Sequence, residues 1–314
     1  MTKPIEDKLE TIPVVNIVVR ILKRIKLPAL EGLSLYDLLE LYVIGIAKGA
    51  LTTRASAIAF SFFTAIFPFL LFILIVIPYI PVENFQGEFL AFLESFLPPQ
   101  TSEFFFNNIF ENISDNNAQG GLLSSVFILS ILLMANGVSA VFSGFESSYH
   151  EQLTRNVFKQ YMYALGVALI LAFLLILTVA VFGYFEIYVI DNVFESLQEK
   201  GYTEQGTSVI WVVLAKYMFF IIMVYLATAT LYYFGTKEGR ASKFFSIGAL
   251  FTTLLIILTS YLFGIYIENF SKYNELYGSI GALLILLFYL WLNSNIILLG
   301  YELNASLNRL KKSF

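Results

Sequence analysis

The stretch RASAIAFSFFTAIFPFLLFILIVIPYIP, residues 54–81, has no charged residue after Arg54 and is long enough to cross a bilayer as a helix. Pro68 lies near its middle. Because proline cannot donate the helical hydrogen bond to the carbonyl of Thr64, that carbonyl must find another partner inside the membrane. The stretch therefore predicts a spanning helix with a polar weak point, which is either a hinge that contacts substrate or a static kink.

Small residues recur every four positions along the same helix, at Ala57, Ser61 and Ala65. Residues at this spacing share one face of a helix, and small side chains there let a neighbouring membrane helix approach closely. We therefore expect the first spanning helix to be central and tightly packed.

The composition places the whole chain in the membrane class. Hydrophobic residues make up 58% of the 314 residues and charged residues 13%, whereas a soluble domain carries about 25% charge. The absence of cysteine excludes disulfides, thiolate metal sites and cysteine nucleophiles. The sequence predicts an all-α polytopic membrane protein whose six transmembrane helices lie at about 55–80, 121–144, 161–185, 209–234, 244–267 and 278–301.

The distribution of basic residues predicts how these helices are oriented. All but three of the 19 Lys and Arg lie before the first span, in the second and fourth connections, or in the tail at 308–314. The other connections, residues 81–120, 186–208 and 268–277, are rich in acids instead. The positive-inside rule therefore predicts that both termini are cytoplasmic, as an even number of spans also requires.

Segments outside the spans are expected to be amphipathic. Within 1–54, Arg20, Lys23 and Arg24 share one face of a helix that either lies on the inner leaflet or packs on the bundle in the cytoplasm. A second helix is predicted to begin at a capping box formed by Ser34 and Asp37. The outer segment 81–120 repeats Phe at helical spacing and predicts two interfacial helices, either a lid or simple padding.

Few polar groups lie inside the predicted membrane, and each is a candidate for a substrate pathway. Lys216 lies within the fourth span, with Glu186 as its expected partner on the same side. It is either a group that binds an anionic substrate or relays an ion, or a lysine that is structurally paired or extends to the interface.

The sixth span is the most polar of the six. Asn293 lies on one stripe of this helix together with Gly300 and Asn304, and Asn295 and Glu302 lie on another. A salt bridge between Glu302 and Arg54 is the structural expectation, because the two residues lie at similar depth. The asparagines, with Asn136 in the second span, either bond across helices or line a route through the bundle.

Catalytic motifs are missing from the sequence. There is no glycine-rich phosphate loop and no cluster of His, Asp and Glu at metal spacing, and the single histidine, His150, is expected at the surface. The sequence therefore predicts no enzyme activity, no catalytic residue, no metal, no cofactor and no nucleic-acid partner.

Two stretches resemble a known family. RASAIAFSFFTAIFPFLLFIL (54–74) and YNELYGSIGALLILLFYLWLNSNIILLGYELNASL (273–307) are similar to signatures of the YihY/BrkB family of bacterial inner-membrane proteins. GVSAVFSGFESSYH (137–150) matches more loosely, with Glu146 where the family has asparagine. The resemblance implies a six-span inner-membrane protein, with lipid export proposed for some members. The family's older ribonuclease BN label finds no support here, since the clustered histidines and acids of two-metal cleavage are missing.

Together these observations predict a transporter or exporter of a lipid-like or anionic substrate without ATP chemistry of its own. Lys216, Asn293, Asn295 and Glu302 are expected around a cavity, with Asn136 and Thr64 along the pathway and Pro68 as its flexing point. The expected partners are membrane lipids and the transported molecule, and the sequence does not specify an oligomeric state. The alternative is a non-transporting scaffold or envelope-integrity factor that binds partners through its amphipathic helices.

Overall fold

The computed structural model describes residues 13–26, 34–37, 39–40, 43, 50–76, 120–147, 156–184, 207–236, 243–269 and 279–312. These residues form helices, joined in one place by an isolated antiparallel bridge between Lys26 and Ser34. The all-α class predicted from the sequence is confirmed. The helices are α1 (Pro13–Arg24), α2 (Leu51–Val76), α3 (Gly120–Glu146), α4 (Val157–Tyr184), α5 (Thr207–Gly235), α6 (Ile247–Asn269) and α7 (Ser279–Lys312).

The six helices α2–α7 overlap the six predicted spans, but α7 continues to Lys312, past the predicted end at 301 and into the predicted tail at 308–314. α3, α4, α5, α6 and α7 are each long and apolar enough to cross a membrane. α2 has 26 residues, and the apolar part of it with described side chains, Leu51–Ile66, is shorter than a full crossing. The architecture is that of a polytopic membrane protein. Glu186, His150 and residues 81–119 of the predicted outer segment lie outside the described residues.

The spanning helices form a ring in chain order. Each helix from α2 to α6 packs against the next, and α7 returns to α2. α3 also reaches α5 and α7, so it lies closest to the centre. The ring brings the first and last spans together even though they are more than 200 residues apart in the chain.

Among the side chains that the structure describes, the buried ones are most numerous at one end of this ring, which we call the packed end. Here α2, α4 and α6 begin, and α3 and α5 end. In α6, the buried residues Gly248, Ala249, Thr252 and Thr253 all lie in the first two turns, and no described residue further along the helix is buried. In α5, whose side chains are described from Leu214 onwards, the first buried residue is Thr228. The packed end is therefore where side chains from all six helices exclude solvent.

The face of α2 that is buried agrees only in part with the one expected. Ala65 is buried as predicted, but Ala57 is exposed and Ser61 is half-buried, and Ala55, Ile58 and Ala59 are buried in their place. In the first half of α2 the small face was thus placed one to two residues out of register, because alanines occur on both sides of this helix. α2 continues through Pro68 to Val76 as a helix.

Two glycines of α3 allow this close packing. A Cβ added at Gly137 would lie 3.2 Å from Cδ1 of Phe62, and one at Gly144 would lie 2.9 Å from Cδ1 of Ile58. Helices in a bilayer gain packing energy from such contacts, since lipid offers no hydrophobic contrast. These contacts hold α2 closely against α3.

The predicted capping box precedes α2. Backbone N of Ser34 donates to Oδ2 of Asp37 at 2.9 Å, and backbone N of Asp37 donates to Oγ of Ser34 at 3.3 Å. These reciprocal bonds satisfy two backbone donors at the start of a helix, as the sequence predicted. Together with the bridge between Lys26 and Ser34, they hold the end of α1 against the segment that leads towards α2.

Candidate functional site: a buried ion pair and an apolar cavity

A buried ion pair joins α2 to α7 at the packed end. Nη2 of Arg54 donates to Oε1 of Glu302 at 2.8 Å, and the two side chains are 8% and 0% exposed. Nη1 of Arg54 donates to the carbonyl oxygen of Gly144 at 2.8 Å. The ion pair expected from the sequence is therefore present, and it also binds a third helix, α3.

The surroundings of the Arg54 guanidinium favour a positive charge. Gly144 lies in the last turn of α3, where helix carbonyls lack intrahelical donors and the helix dipole favours a cation. Bonds from a guanidinium to a carboxylate are charge-assisted and stronger than neutral ones. Removing either partner would leave an uncompensated buried charge, so α2, α3 and α7 are clamped at one point.

A second buried cluster joins α5, α6 and α7. The hydroxyl of Tyr232 donates to the carbonyl oxygen of Ile297 at 2.7 Å and also shares a hydrogen bond with the hydroxyl of Thr252. Both side chains are buried, at 4% and 0% exposure. Since a buried hydroxyl without a partner is costly, these bonds favour one relative position of the three helices.

Two glycines make the α6–α7 crossing possible. A Cβ added at Gly300 would collide with the side chains of Thr252 and Tyr232, and one added at Gly248 would collide with the carbonyl oxygen of Gly300 and with Asn304. The backbones of α6 and α7 therefore lie close to each other at this level.

Asn304 of α7 uses this close approach to bind the start of α6. Its Oδ1 accepts a bond from backbone N of Gly248 at 2.8 Å, and its Nδ2 donates to Oγ of Ser246 at 2.8 Å. Ser246 in turn accepts a bond from backbone N of Ala249 at 3.2 Å, as an N-cap residue does. The Oδ1 of Asn304 thus satisfies one backbone donor in the first turn of α6, that of Gly248, and its Nδ2 bonds the N-cap residue Ser246, which satisfies a second donor.

Aromatic rings fill the space between the two clusters. Phe145 stacks on Tyr301 with ring centroids 4.2 Å apart and meets the ring of Tyr232 edge-on at 5.5 Å. Phe145 follows Gly144, which binds Arg54, so the rings connect the ion pair to the Tyr232 cluster. We call the set Arg54, Glu302, Tyr232, Thr252 and Asn304, with these rings, the polar seal.

An apolar cavity lies further along the ring from the packed end. Its volume is about 240 Å³, and it is bounded by four helices, so α4 and α7 face each other across it. Ala65 lies eleven residues after Arg54, about 16 Å along α2, which is near the middle of a bilayer. All lining side chains are apolar: Phe62, Ala65, Ile66, Met134, Val138, Ala168, Leu171, Ala172, Leu175 and Leu290.

The structure disperses most of the polar residues that the sequence singled out. Asn293 and Asn295 donate from Nδ2 to carbonyl oxygens one turn earlier in α7, at 2.9 and 2.7 Å. Asn136 and Thr64 are exposed, and Oγ1 of Thr64 donates to the carbonyl oxygen of Ser61 at 3.0 Å. None of these four residues lines the cavity.

Lys216, Glu302 and Pro68 complete the predicted set. Lys216 is half-buried on α5 and has an interaction partner within the structure, but it does not line the cavity. Pro68 is half-buried and lies less than one turn beyond Ile66, which does line it. Glu302 is paired with Arg54 in the polar seal. Only Arg54 and Glu302 of the predicted residues are thus joined by a described contact.

Several members of the polar seal were not singled out as site residues. Tyr232 and Thr252 occur in apolar runs, where aromatic and β-branched residues are ordinary. A signal was available in the spacing of Gly248 and Thr252, and of Gly300 and Asn304, because small and polar residues four apart mark close crossings of membrane helices. Within the described residues, no group of three or more His, Cys, Asp or Glu could hold a metal ion.

Comparison with known families gives one match that covers most of the chain. The family model described as "Virulence factor BrkB" matches residues 45–313. This range includes all six helices of the ring and every residue of the polar seal. No solved structure matches the chain.

Two curated relatives align with more than four fifths of the chain. The "Putative ribonuclease-like protein YfkH" of Bacillus subtilis (strain 168) is 26% identical over 265 residues, which is 83% of this chain and 91% of that protein. A "UPF0761 membrane protein" of Psychrobacter sp. (strain PRwf-1) is 23% identical over 259 residues, which is 81% of this chain. The matched region is 45% of the Psychrobacter protein, so the chain spans about half of that relative.

Proposed function

The chain belongs to the virulence factor BrkB family, and we propose that this multi-pass membrane protein transports or exports a lipid-like substrate without hydrolysing ATP itself. The observation that carries the proposal is the apolar cavity between α2, α3, α4 and α7, next to a sealed end. We further propose a bacterial inner-membrane location with both termini cytoplasmic, on the basis of the positive-inside distribution of Lys and Arg.

The lining of the cavity supports an apolar substrate over an anionic one. A charged group moved into a site lined only by apolar side chains loses its hydration and gains no partner. An acyl chain meets no such penalty, because lipid tails are about as apolar as leucine. Exchange of a chain between the bilayer and the cavity is therefore close to neutral in free energy, so that a chain both enters and leaves.

The size of the cavity limits which part of a substrate it can hold. Sites that enclose a drug-sized ligand are about 300–1,000 Å³ in volume, and this cavity is smaller at about 240 Å³. It suits a segment of one acyl chain, with the polar headgroup held outside it. The substrate class is thus a molecule with a hydrocarbon chain and a separate polar part.

The polar seal supplies the closed end that such a transporter needs. Release of substrate at the packed end requires α2 and α7 to separate, and the ion pair between Arg54 and Glu302 joins them there. This pair must therefore separate, and both charges must be rehydrated, when the packed end opens. In this proposal the described conformation is closed at the packed end, and opening is a minor state that substrate stabilises.

The test is movement of a fluorescent phospholipid between the leaflets of proteoliposomes that contain the purified chain. Ala172→Trp fills the cavity, since Ala172 is 3% exposed and lines it. Phe173→Trp is the matched control, because Phe173 is the next residue of α4 and is 63% exposed on the outside of the bundle. We expect Ala172→Trp to slow lipid movement by at least about tenfold, a change of about 1.4 kcal/mol, and Phe173→Trp to leave it unchanged.

Thermal unfolding of both variants separates blocked transport from misfolding, because overpacking a core costs about 1–3 kcal/mol. If the two tryptophan variants move lipid at equal rates, the cavity is not part of the transport pathway. If wild-type proteoliposomes move no lipid at all, the non-transporting scaffold becomes the better account of the fold.

A further inference from the structure

The outward-facing side of α1 carries both apolar and basic groups. Ile17 and Ile21 are 61% and 54% exposed, one turn apart on the same face. Arg20 and Arg24 are also exposed, one turn apart, immediately beside them. We call these four residues the outer face of α1. Burial of Val19, at 4% exposure, shows that the helix already packs by its opposite side.

The orientation of this face is held by contacts on the inner side of α1. Nζ of Lys23 lies 5.1 Å from the ring centroid of Tyr36, a cation–π geometry. Backbone N of Leu35 donates to the carbonyl oxygen of Ile25 at 2.9 Å, beside the bridge between Lys26 and Ser34. These contacts hold α1 against the segment at residues 34–36, with its outer face turned away from that segment.

We propose that the outer face of α1 binds the anionic headgroup surface of the bilayer that the protein spans. Residues 13–26 contain no Asp or Glu, so the charge of this helix is entirely positive. Arginines beside exposed isoleucines match the membrane interface, because lipid phosphates lie there next to the first carbons of the acyl chains. The isoleucines enter the acyl boundary, and the arginines bind lipid phosphates in paired hydrogen bonds.

The location of α1 in the chain supports a lipid partner over a soluble one. α1 is separated from the start of α2 by 26 residues, so it is tethered close to a bilayer at all times. Basic residues also predict that this end of the protein lies on the cytoplasmic side, where the leaflet is negatively charged. The proposal depends on membrane insertion of α2–α7 and not on transport by the cavity.

Because the sequence contains no cysteine, a fluorophore can be attached at one introduced cysteine to test the proposal. Ile21→Cys carries an environment-sensitive fluorophore on the outer face, and Ser147→Cys carries it at an exposed site at the packed end. Each labelled protein is reconstituted in phosphatidylcholine alone and in equal parts phosphatidylcholine and phosphatidylglycerol. We expect a blue shift and quenching by brominated acyl chains at position 21 only in the anionic vesicles, and no such change at position 147.

Variants that lack two positive charges test whether the arginines of the outer face bind the anionic lipid. Arg20→Gln with Arg24→Gln removes two cations, each worth about 1 kcal/mol at an anionic surface, so docking should weaken about 30-fold. Lys159→Gln with Lys243→Gln removes two exposed cations elsewhere at the packed end and should leave docking unchanged. High ionic strength should reverse docking of the labelled protein that retains both arginines.

Two outcomes would overturn the proposal. A fluorophore at position 21 that remains in water in both kinds of vesicle would show that the outer face does not bind lipid. A blue shift that is independent of lipid charge and insensitive to brominated chains would show that protein covers this face, either another segment of the chain or a second copy.

Discussion

Replacement of Glu302 by leucine is the sharpest test of the polar seal. Glu302 is fully buried, and its carboxylate is bonded to Arg54, whose side chain is 8% exposed. In Glu302→Leu the one described bond that the guanidinium keeps is that to the Gly144 carbonyl, and it remains buried without its carboxylate. We expect a loss of about 3–5 kcal/mol in the free energy of unfolding.

The double variant Arg54→Leu with Glu302→Leu shows whether this loss comes from the buried charge. With both charges removed, the main remaining cost is the unpaired carbonyl of Gly144, about 1–3 kcal/mol. The double variant should therefore be more stable than Glu302→Leu, and the coupling energy of the cycle should be at least about 3 kcal/mol.

Reversible unfolding of the purified protein in mixed micelles, followed by circular dichroism, measures all members of this cycle. Lys159→Gln, at an exposed position, is the control and should change stability by less than about 0.5 kcal/mol. A cost below about 1 kcal/mol for Glu302→Leu, or additivity of the two single variants, would refute the view that this pair clamps α2, α3 and α7.

Three further predictions concern single contacts of the described structure. Gly300→Ala should destabilise the protein by at least about 2 kcal/mol, because its Cβ has no space at the α6–α7 crossing. Gly166→Ala, which meets nothing within 4 Å, should be neutral or stabilising by up to about 1 kcal/mol in the same unfolding assay. Asn304→Ala should cost about 1–3 kcal/mol through the lost bonds to the start of α6, whereas Asn295→Ala, which loses a bond only to its own helix, should cost less than about 0.5 kcal/mol. Ser34→Ala should remove about 1 kcal/mol of local helix stability, seen as faster amide hydrogen exchange just after residue 34 with little change in global unfolding; unchanged exchange would contradict the capping role.

The spans and the ion pair could be predicted from the sequence because each follows from a local requirement. A hydrocarbon environment forces backbone groups to bond within one segment, so long uncharged runs must be helices. Arg54 and Glu302 are the charges nearest to the ends of two such runs at the same depth, and a charge there needs a partner. The Ser34–Asp37 cap is likewise local in sequence and was predicted correctly.

The apolar lining of the cavity was not predicted from the sequence, because the polar residues within the spans indicated a polar cavity instead. Asn293 and Asn295 can satisfy their amide donors within α7 itself, so their presence in a span does not require a shared polar space. A substrate contact at Lys216, Asn136 or Thr64 stays a prediction. None of the three lines the cavity, whereas Ala172 does, so a substitution of Ala172 tests the transport pathway more directly.

Six long apolar segments were enough to predict six membrane-spanning helices, and the positions of Arg54 and Glu302 were enough to predict that the two residues meet. Which side of each helix faces inwards became visible only in the packed bundle, as Ala57 and Ala59 on α2 show, one exposed and the other buried. Lipid and protein interior are equally apolar, so hydrophobic periodicity does not mark the inner face. Shape decides it instead, through the glycine contacts of α3, α6 and α7, and these contacts also set where the ring closes and where it leaves a cavity.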